Sequence, residues 1–232
     1  MWYDEFIRRF TATFIDGGMY RLFISGLLNT FIITLCATAI GCVLGIAVAV
    51  IRVMHAQTGR FKWLDMICGL YLTVIRGTPI VVQLLIMYFI VFVSLESALA
   101  VAVITFGVNS GAYVAEIVRA GIMAVDVGQH EAGRSLGLSE AATMRFIILP
   151  QAIKNILPAI GNEFIALLKE TSVAGYITVV DLTRAGNMVR ARTMDAFFSL
   201  ISVAIVYLLL VIGITSLLKK MEGRLRRSDR NA

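Results

Sequence analysis

Gln129-His130-Glu131-Ala132-Gly133-Arg134-Ser135-Leu136-Gly137-Leu138, followed by Ile147-Ile148-Leu149-Pro150, sets charge and two glycines into an otherwise apolar chain. The sequence on both sides is membrane material. Residues 22–51 form a run of 30 without a charge, about 45 Å of helix where the hydrocarbon core needs ~30 Å. Residues 196–218 give 23 more and residues 97–115 give 19. Hydrophobic residues make up 59% of the chain and charged residues 16%, against about 45–50% and about 25% in soluble domains. The quoted stretch holds only about two helical turns between Gly128 and Gly137, too short to cross a bilayer. A membrane protein that places a short polar helix between two spans has something to touch in the cytoplasm.

Working outward, residues 1–21 are amphipathic, with Trp2, Phe6, Phe10 and Phe14 every four residues and Arg8 and Arg9 on another face. This spacing predicts a helix in the interface plane, ended by Gly17 and Gly18. Span one covers 22–51, and residues 52–65 form a loop carrying Arg52, Arg60 and Lys62. Span two, 63–93, is interrupted by Arg76-Gly77-Thr78-Pro79 and is expected to be kinked or broken, since Pro79 disfavours helix at Thr78. Span three covers 97–118, and the polar stretch 120–145 follows it. Span four covers 151–168 and is weak by hydropathy, carrying Lys154, Asn155, Pro158, Asn162 and Glu163; a polar segment 169–195 follows, and span five, 196–218, closes the chain.

Five spans put the termini on opposite sides. With the N-terminus outside, the inner segments hold 13 Lys and Arg and the outer ones 7, so charge bias favours N-out and C-in, with Glu131 in the cytoplasm. The same bias accounts for the net charge of +6: six of the 21 basic residues sit in the tail 219–232, as topology anchors beside lipid rather than as a nucleic-acid surface. The first apolar run is far longer than the ~7–15 residues of a cleaved signal. Cys36, Cys42 and Cys68 lack metal-ligand spacing and read as small packing residues, while His55 and His130 lie outside the spans. The absence of a Gly-Lys-Ser/Thr loop excludes P-loop ATP binding.

The order Glu131-Ala132-Gly133, then Gly137, then Ile148-Leu149-Pro150 closely resembles the EAA loop of ABC-transporter importer permeases. Arg76-Gly77-Thr78-Pro79 with Gln83, Asn109 through Glu116, residues 157–175 with Lys169-Glu170-Thr171-Ser172, and Asp181-Leu182-Thr183-Arg184 resemble the polar amino-acid group of that family, which handles histidine, glutamine, glutamate, arginine and opines. The resemblance covers most of residues 22–218. It implies an all-α membrane protein with five transmembrane helices in the type I importer arrangement. It also implies a coupling helix at residues 129–137 within a loop of about 126–145. The implied partners are a second permease subunit, two ATPase subunits carrying ATP and magnesium, and an extracytoplasmic amino-acid-binding protein, in a bacterial inner membrane. The chain itself would be no enzyme and would bind no cofactor. The family usually has Ala where this chain has Gly133; glycine costs about 1 kcal/mol inside a helix, so the helix is expected to be less rigid until docked.

Charged and polar residues at membrane depth are the candidates for a substrate path, because burying them unpaired is costly. These are Arg76, Thr78, Gln83, Asn109, Ser110, Tyr113, Glu163, Thr171 and Ser172. Arg76 suits a substrate carboxylate; alternatively it holds the fold by pairing with Glu163, Glu116 or Glu170. Glu163 suits an ammonium, or else faces a subunit interface. Asn109, Ser110 and Tyr113 offer hydrogen bonds to substrate or to neighbouring helices, and Glu116 and Arg119 read as a helix-surface ion pair. Two rival readings are a gradient-driven secondary transporter, which would need an ionisable relay, and a membrane anchor of an enzyme, which would need cofactor ligands in its spans.

Overall fold

The computed structural model describes residues 2–230, with side chains described for residues 3–223, so the far end of the predicted basic tail lies outside the described residues. It is helical, with no strand among the described residues. A short helix, α1 (Trp2–Phe14), is followed by Gly17 and Gly18 in the left-handed region. Then come α2 (Tyr20–Thr58), α3 (Lys62–Gly77), α4 (Ile80–Ile86), α5 (Ala98–Met123), α6 (Val127–Ser135), α7 (Glu140–Thr143), α8 (Leu149–Glu170), α9 (Leu182–Thr193) and α10 (Ala196–Arg230). Caps explain most of the boundaries. Ser97, Asp126, Ser139 and Asp181 each accept hydrogen bonds from first-turn N–H groups, satisfying donors that a helix start leaves free.

Among the described residues α2, α5 and α10 are long and apolar enough to cross a membrane, and α3 with the segment Ile80–Val91 passes the same test as a bent pair. The α7–α8 segment carries the polar residues that made span four weak, and it does not pass. The predicted loop at 52–65 is corrected: α2 runs on to Thr58, and Gly59 ends it at φ 68° with its N–H donated to the His55 carbonyl at 2.8 Å. The expected kink in span two is a break with a bend of 108°.

The centre of the fold is the pairing of α2 with α5. Each contributes two glycines four residues apart, Gly41 and Gly45 on α2 and Gly107 and Gly111 on α5, all set close against the opposite helix. A Cβ at Gly45 would lie 2.6 Å from Val114 Cβ, one at Gly41 2.9 Å from Ser110 Cβ, and one at Gly107 2.7 Å from Ile40 Cγ2. In lipid, helices gain little from the hydrophobic effect, and such backbone approach supplies van der Waals contact instead. Around it Ile33, Leu84, Val101, Phe106, Leu167 and Ile177 form one buried cluster.

At the other edge α1 packs on the start of α10. Arg9 Nε donates to Asp195 Oδ2 at 2.7 Å, its guanidinium lies 5.5 Å from the Phe198 ring centre, and Phe6 meets the same ring edge-on at 5.0 Å. Arg9, with help from the Phe198 N–H, holds the Asp195 carboxyl below the usual range. A depressed carboxylate stabilises the fold above its ordinary value near ~3.9 and loses that contribution as pH falls through the depressed one. The protection of α1 amides relative to intrinsic exchange should therefore fall when wild type is acidified to about pH 3, and Arg9→Gln should reproduce the lost protection at pH 7. A second expectation concerns the glycine pairs. Gly45→Leu should cost about 1–3 kcal/mol in detergent unfolding through overpacking, while Gly69→Leu, whose Cβ would meet nothing within 4 Å, should be neutral.

Candidate functional site

The break between α3 and α4 is forced locally. Thr78 is extended at φ −120°, ψ 144°, as a residue before proline prefers, and Pro79 supplies no donor. Two carbonyls at the break are taken up by one side chain. The Gln83 amide donates to the carbonyls of Ile75 (2.7 Å) and Thr78 (3.0 Å) and to Thr78 Oγ1 (2.8 Å). Its own oxygen accepts from Asn109 Nδ2 at 3.0 Å, tying the break to α5. Thr78, Gln83 and Asn109 are thus brought together, as the parts of a satisfied break. Irregular backbone survives at membrane depth only with such partners.

At the next residue of α5, Ser110 donates to Glu163 Oε1 of α8 at 3.0 Å, beside Gly41 of α2. Tyr113 and Glu116 then line up on a half-exposed face. Arg76 Nη1 is 3.8 Å from Glu116 Oε2 and its guanidinium lies 5.8 Å from the Tyr113 ring centre, so among its three proposed partners Arg76 takes Glu116. Arg119 pairs with the same carboxylate from one turn below. Sequence reading found the Glu116–Arg119 pair and offered Glu116 among three partners for Arg76, without choosing it. The signal was present in the spacing: Tyr113, Glu116 and Arg119 recur every three residues along one side of α5.

Thr171 and Ser172 stand apart from these. Thr171 is buried, its hydroxyl donated to the Leu168 carbonyl at 2.7 Å, whereas Ser172 lines a cavity of about 480 Å³ with Tyr176, Asp181, Thr183, Arg184 and Asn187. Asp181 caps α9 by accepting from the Thr183 and Arg184 N–H groups; burial pushes its carboxyl up, against the pull of those donors. The segment 169–195, read as polar from sequence, is therefore structured: a 3₁₀ turn, Thr171–Ile177, and α9, fastened to α2 by Asn29 Nδ2 donating to the Val180 carbonyl at 2.9 Å.

The quoted stretch forms α6, a helix of 9 residues. It starts one residue before Gly128, because the Asp126 carboxylate accepts from the Gly128 N–H at 2.7 Å. Gly137 turns the chain at φ 80°, and Ser139 caps the next helix with Glu140 in its first turn, as expected. Gly133 is the buried residue of α6, and a Cβ there would lie 2.6 Å from Thr143 Cγ2 and 3.0 Å from Ile147 Cδ1. This contact gives the glycine a further role beside its low helix propensity: it is where α6 seats on the following helix. Gln129, Glu131, Ala132, Arg134, Ser135 and Leu136 stay exposed and His130 is half-buried. Val127 at 72% and Leu136 at 79% exposure give the outer side an apolar component that solvent alone does not reward. Below the seat, Pro150 lies at the start of α8 and a π-helical turn, Met144–Ile148, precedes it; widening the turn is how a helix accommodates a ring that clashes with the carbonyl four residues back.

Residues 41–227 match the family described as the binding-protein-dependent transport system inner membrane component. The chain belongs to this family. Among its relatives, this permease is 37% identical over 210 residues to the arginine transport system permease protein ArtQ of Bacillus subtilis, covering 89% of this chain and 93% of the relative. It is 34% identical over 209 residues to the glutamine transport system permease protein GlnP of Escherichia coli, covering 88% and 93%. A crystal structure of an amino acid ABC transporter with histidines superposes with a TM-score of 0.82 at 42% identity, covering 88% of this chain and 94% of that one. The permease fold extends to the inward-facing MetNI methionine ABC transporter, with TM-score 0.79 at 20% identity and coverage of 91% and 99%.

The seat of α6 is open to a direct test. Gly133→Ala should weaken it, since helix propensity gains about 1 kcal/mol but overpacking costs about 1–3 kcal/mol. Thr143→Ala removes the obstructing methyl together with a buried hydroxyl that has no partner. The double variant should recover wild-type stability, a coupling of about 0.5–3 kcal/mol read from thermal unfolding.

Proposed function

We propose that this chain is the membrane-spanning permease subunit of an ATP-driven ABC importer for a polar amino acid, in a bacterial cytoplasmic membrane. The observation that carries the reading is α6, a short capped helix seated through Gly133 on the helix that follows and presenting exposed Glu131, Arg134 and Leu136 outward. A helix held this way transmits a push to α7 and α8 instead of yielding to it. Relatives named for arginine and glutamine transport support the substrate class.

In the arrangement we infer, α2, the broken pair α3–α4, α5, α7–α8 and α10 are five spans, with the N-terminus outside and the C-terminus in the cytoplasm. The excess of basic residues in the inner segments supports this orientation. Residues 1–21 lie in the outer interface, residues 22–218 form the permease domain with its coupling loop at 126–145, and residues 219–232 form a basic cytoplasmic tail. A second permease subunit completes the path, two ATPase subunits holding ATP and magnesium dock on the paired α6 helices, and an amino-acid-binding protein docks outside. ATPase closure moves residues 129–137 and turns the path outward; hydrolysis returns it inward with the amino acid released.

Along the path, the half-exposed face bearing Arg76 and Tyr113 offers a guanidinium for the carboxylate, and Glu163, held by buried Ser110, offers a carboxylate for the ammonium common to every amino acid. Thr78, Gln83 and Asn109 shape this wall by holding the break, and Thr171 and Ser172 border its outer end.

The test is ATP hydrolysis by the chain co-purified with the ATPase encoded beside it, in nanodiscs, with and without loaded binding protein. Loaded protein should stimulate hydrolysis. Gly137→Asp, which puts a side chain at φ 80°, should abolish stimulation while α2–α5 packing, read by thermal unfolding, stays intact. Retained ATPase association and stimulation in that variant would defeat the coupling reading.

A further inference from the structure

The cytoplasmic ends of α2, α3 and α5 enclose a polar recess that the transport cycle above does not use. Two adjoining cavities of about 460 and 490 Å³ share His55 and Asp65; Arg52 and Arg119 line one, and Lys62, Trp63 and Met66 line the other. The donors there are largely unused. Arg52 gives only its Nε to Asp65, at 3.2 Å, leaving its two terminal amino groups without a hydrogen bond among the described residues. Lys62 likewise has no ion pair among the described residues, and His55 engages the Arg60 carbonyl through Nδ1 at 2.7 Å, with no hydrogen bond at Nε2 among the described residues. The first turn of α3 adds backbone N–H groups, because Phe61 provides no side-chain cap.

The recess also has a defined depth. Along α3, Trp63 (76%), Met66 (58%), Ile67 (59%), Leu70 (65%) and Val74 (49%) are exposed in one stripe at helical spacing, the pattern of a lipid-facing side. Trp63 begins that stripe next to Lys62, and tryptophan at the end of an apolar stripe marks headgroup level. Cations, free amide donors and an interfacial indole at one depth are complementary to a phosphate ester whose acyl chains run down the Met66–Leu70 side.

We propose that this recess binds the phosphate headgroup of an anionic phospholipid in the inner leaflet, held by Arg52, Lys62 and the first turn of α3. The leaflet rests on the N-out orientation given above; the headgroup chemistry does not. Such a lipid would brace the α2–α3 turn against α5 just inside the Arg76–Glu116–Arg119 row.

The chain has two tryptophans, Trp2 and Trp63, so Trp2→Phe leaves Trp63 as the sole indole reporter. The full chain carrying this change is titrated with phosphatidylglycerol or phosphatidylcholine bearing brominated acyl chains, and Trp63 quenching is followed. Each of the two cations should contribute about a fivefold preference for the anionic lipid, so phosphatidylglycerol should half-quench at a much lower mole fraction. The preference should vanish in R52Q/K62Q and survive in R52K/K62R, which separates charge from folding. Equal quenching by the two lipids, or a preference unchanged in R52Q/K62Q, would overturn the proposal. Loss of the preference on replacing chloride by inorganic phosphate at equal ionic strength would give the recess a soluble occupant and overturn the lipid assignment. Co-purification with the ATPase is scored on the same protein: headgroup preference lost with ATPase retained rejects only this site, whereas ATPase lost with preference intact rejects the importer reading.

Discussion

Everything that bears chemistry in this chain hangs from the close approach of α2 and α5. With Gly41 and Gly45 of α2 and Gly107 and Gly111 of α5 all set close against the opposite helix, the two helices meet backbone to backbone, where any Cβ would intrude to within 3 Å of a neighbour. Ser110, Tyr113, Glu116 and Arg119 all project from α5, so their positions relative to α3 and α8 are set by that contact. Lipid offers no hydrophobic reward for helix association, which makes the small-residue surface the main source of rigidity at the centre of the bilayer.

From that rigid pair the rest follows as a series of satisfied irregularities. The chain breaks at Thr78-Pro79, and Gln83 with Asn109 absorbs the polar groups the break releases. It breaks again between α5 and α8, where capped α6 rests on Thr143 through Gly133 and a π-helical turn leads to Pro150. On the function proposed above, the first break shapes a wall of the path inside the membrane and the second makes the coupling handle outside it. Both are joined to α5, one through Asn109 and the other through the short turn after Met123, so movement of the handle and of the wall share one rigid element.

Much of this was legible in the sequence because it was written in charge and in proline. Charge-free runs gave α2, α5 and α10, Pro79 gave the break, and Ser139 and Gly137 framed the helix after α6. What the sequence hid was three-dimensional partnership. Gly133 looked like a weak helix residue because the Thr143 methyl it accommodates lies 10 positions away and only folding brings them together. That Gln83, Thr78 and Asn109 hold one another across the break was hidden because polar residues in apolar surroundings look the same whether they face a pore or a broken backbone. The α9 helix was missed because Asp181 caps it from within a segment with no apolar periodicity, and its fastening to Asn29 and Thr30 spans 151 and 152 positions.

The central claim is that α6 is the surface through which an ATPase drives the spans. A photo-activatable side chain at Glu131, on the exposed side of α6, tests it most directly in membrane vesicles containing the whole transporter. The account expects an adduct with the ATPase subunit whose yield changes between ATP-bound and nucleotide-free states. Adducts only with lipid or with the outer binding protein, or none that respond to nucleotide, would contradict it.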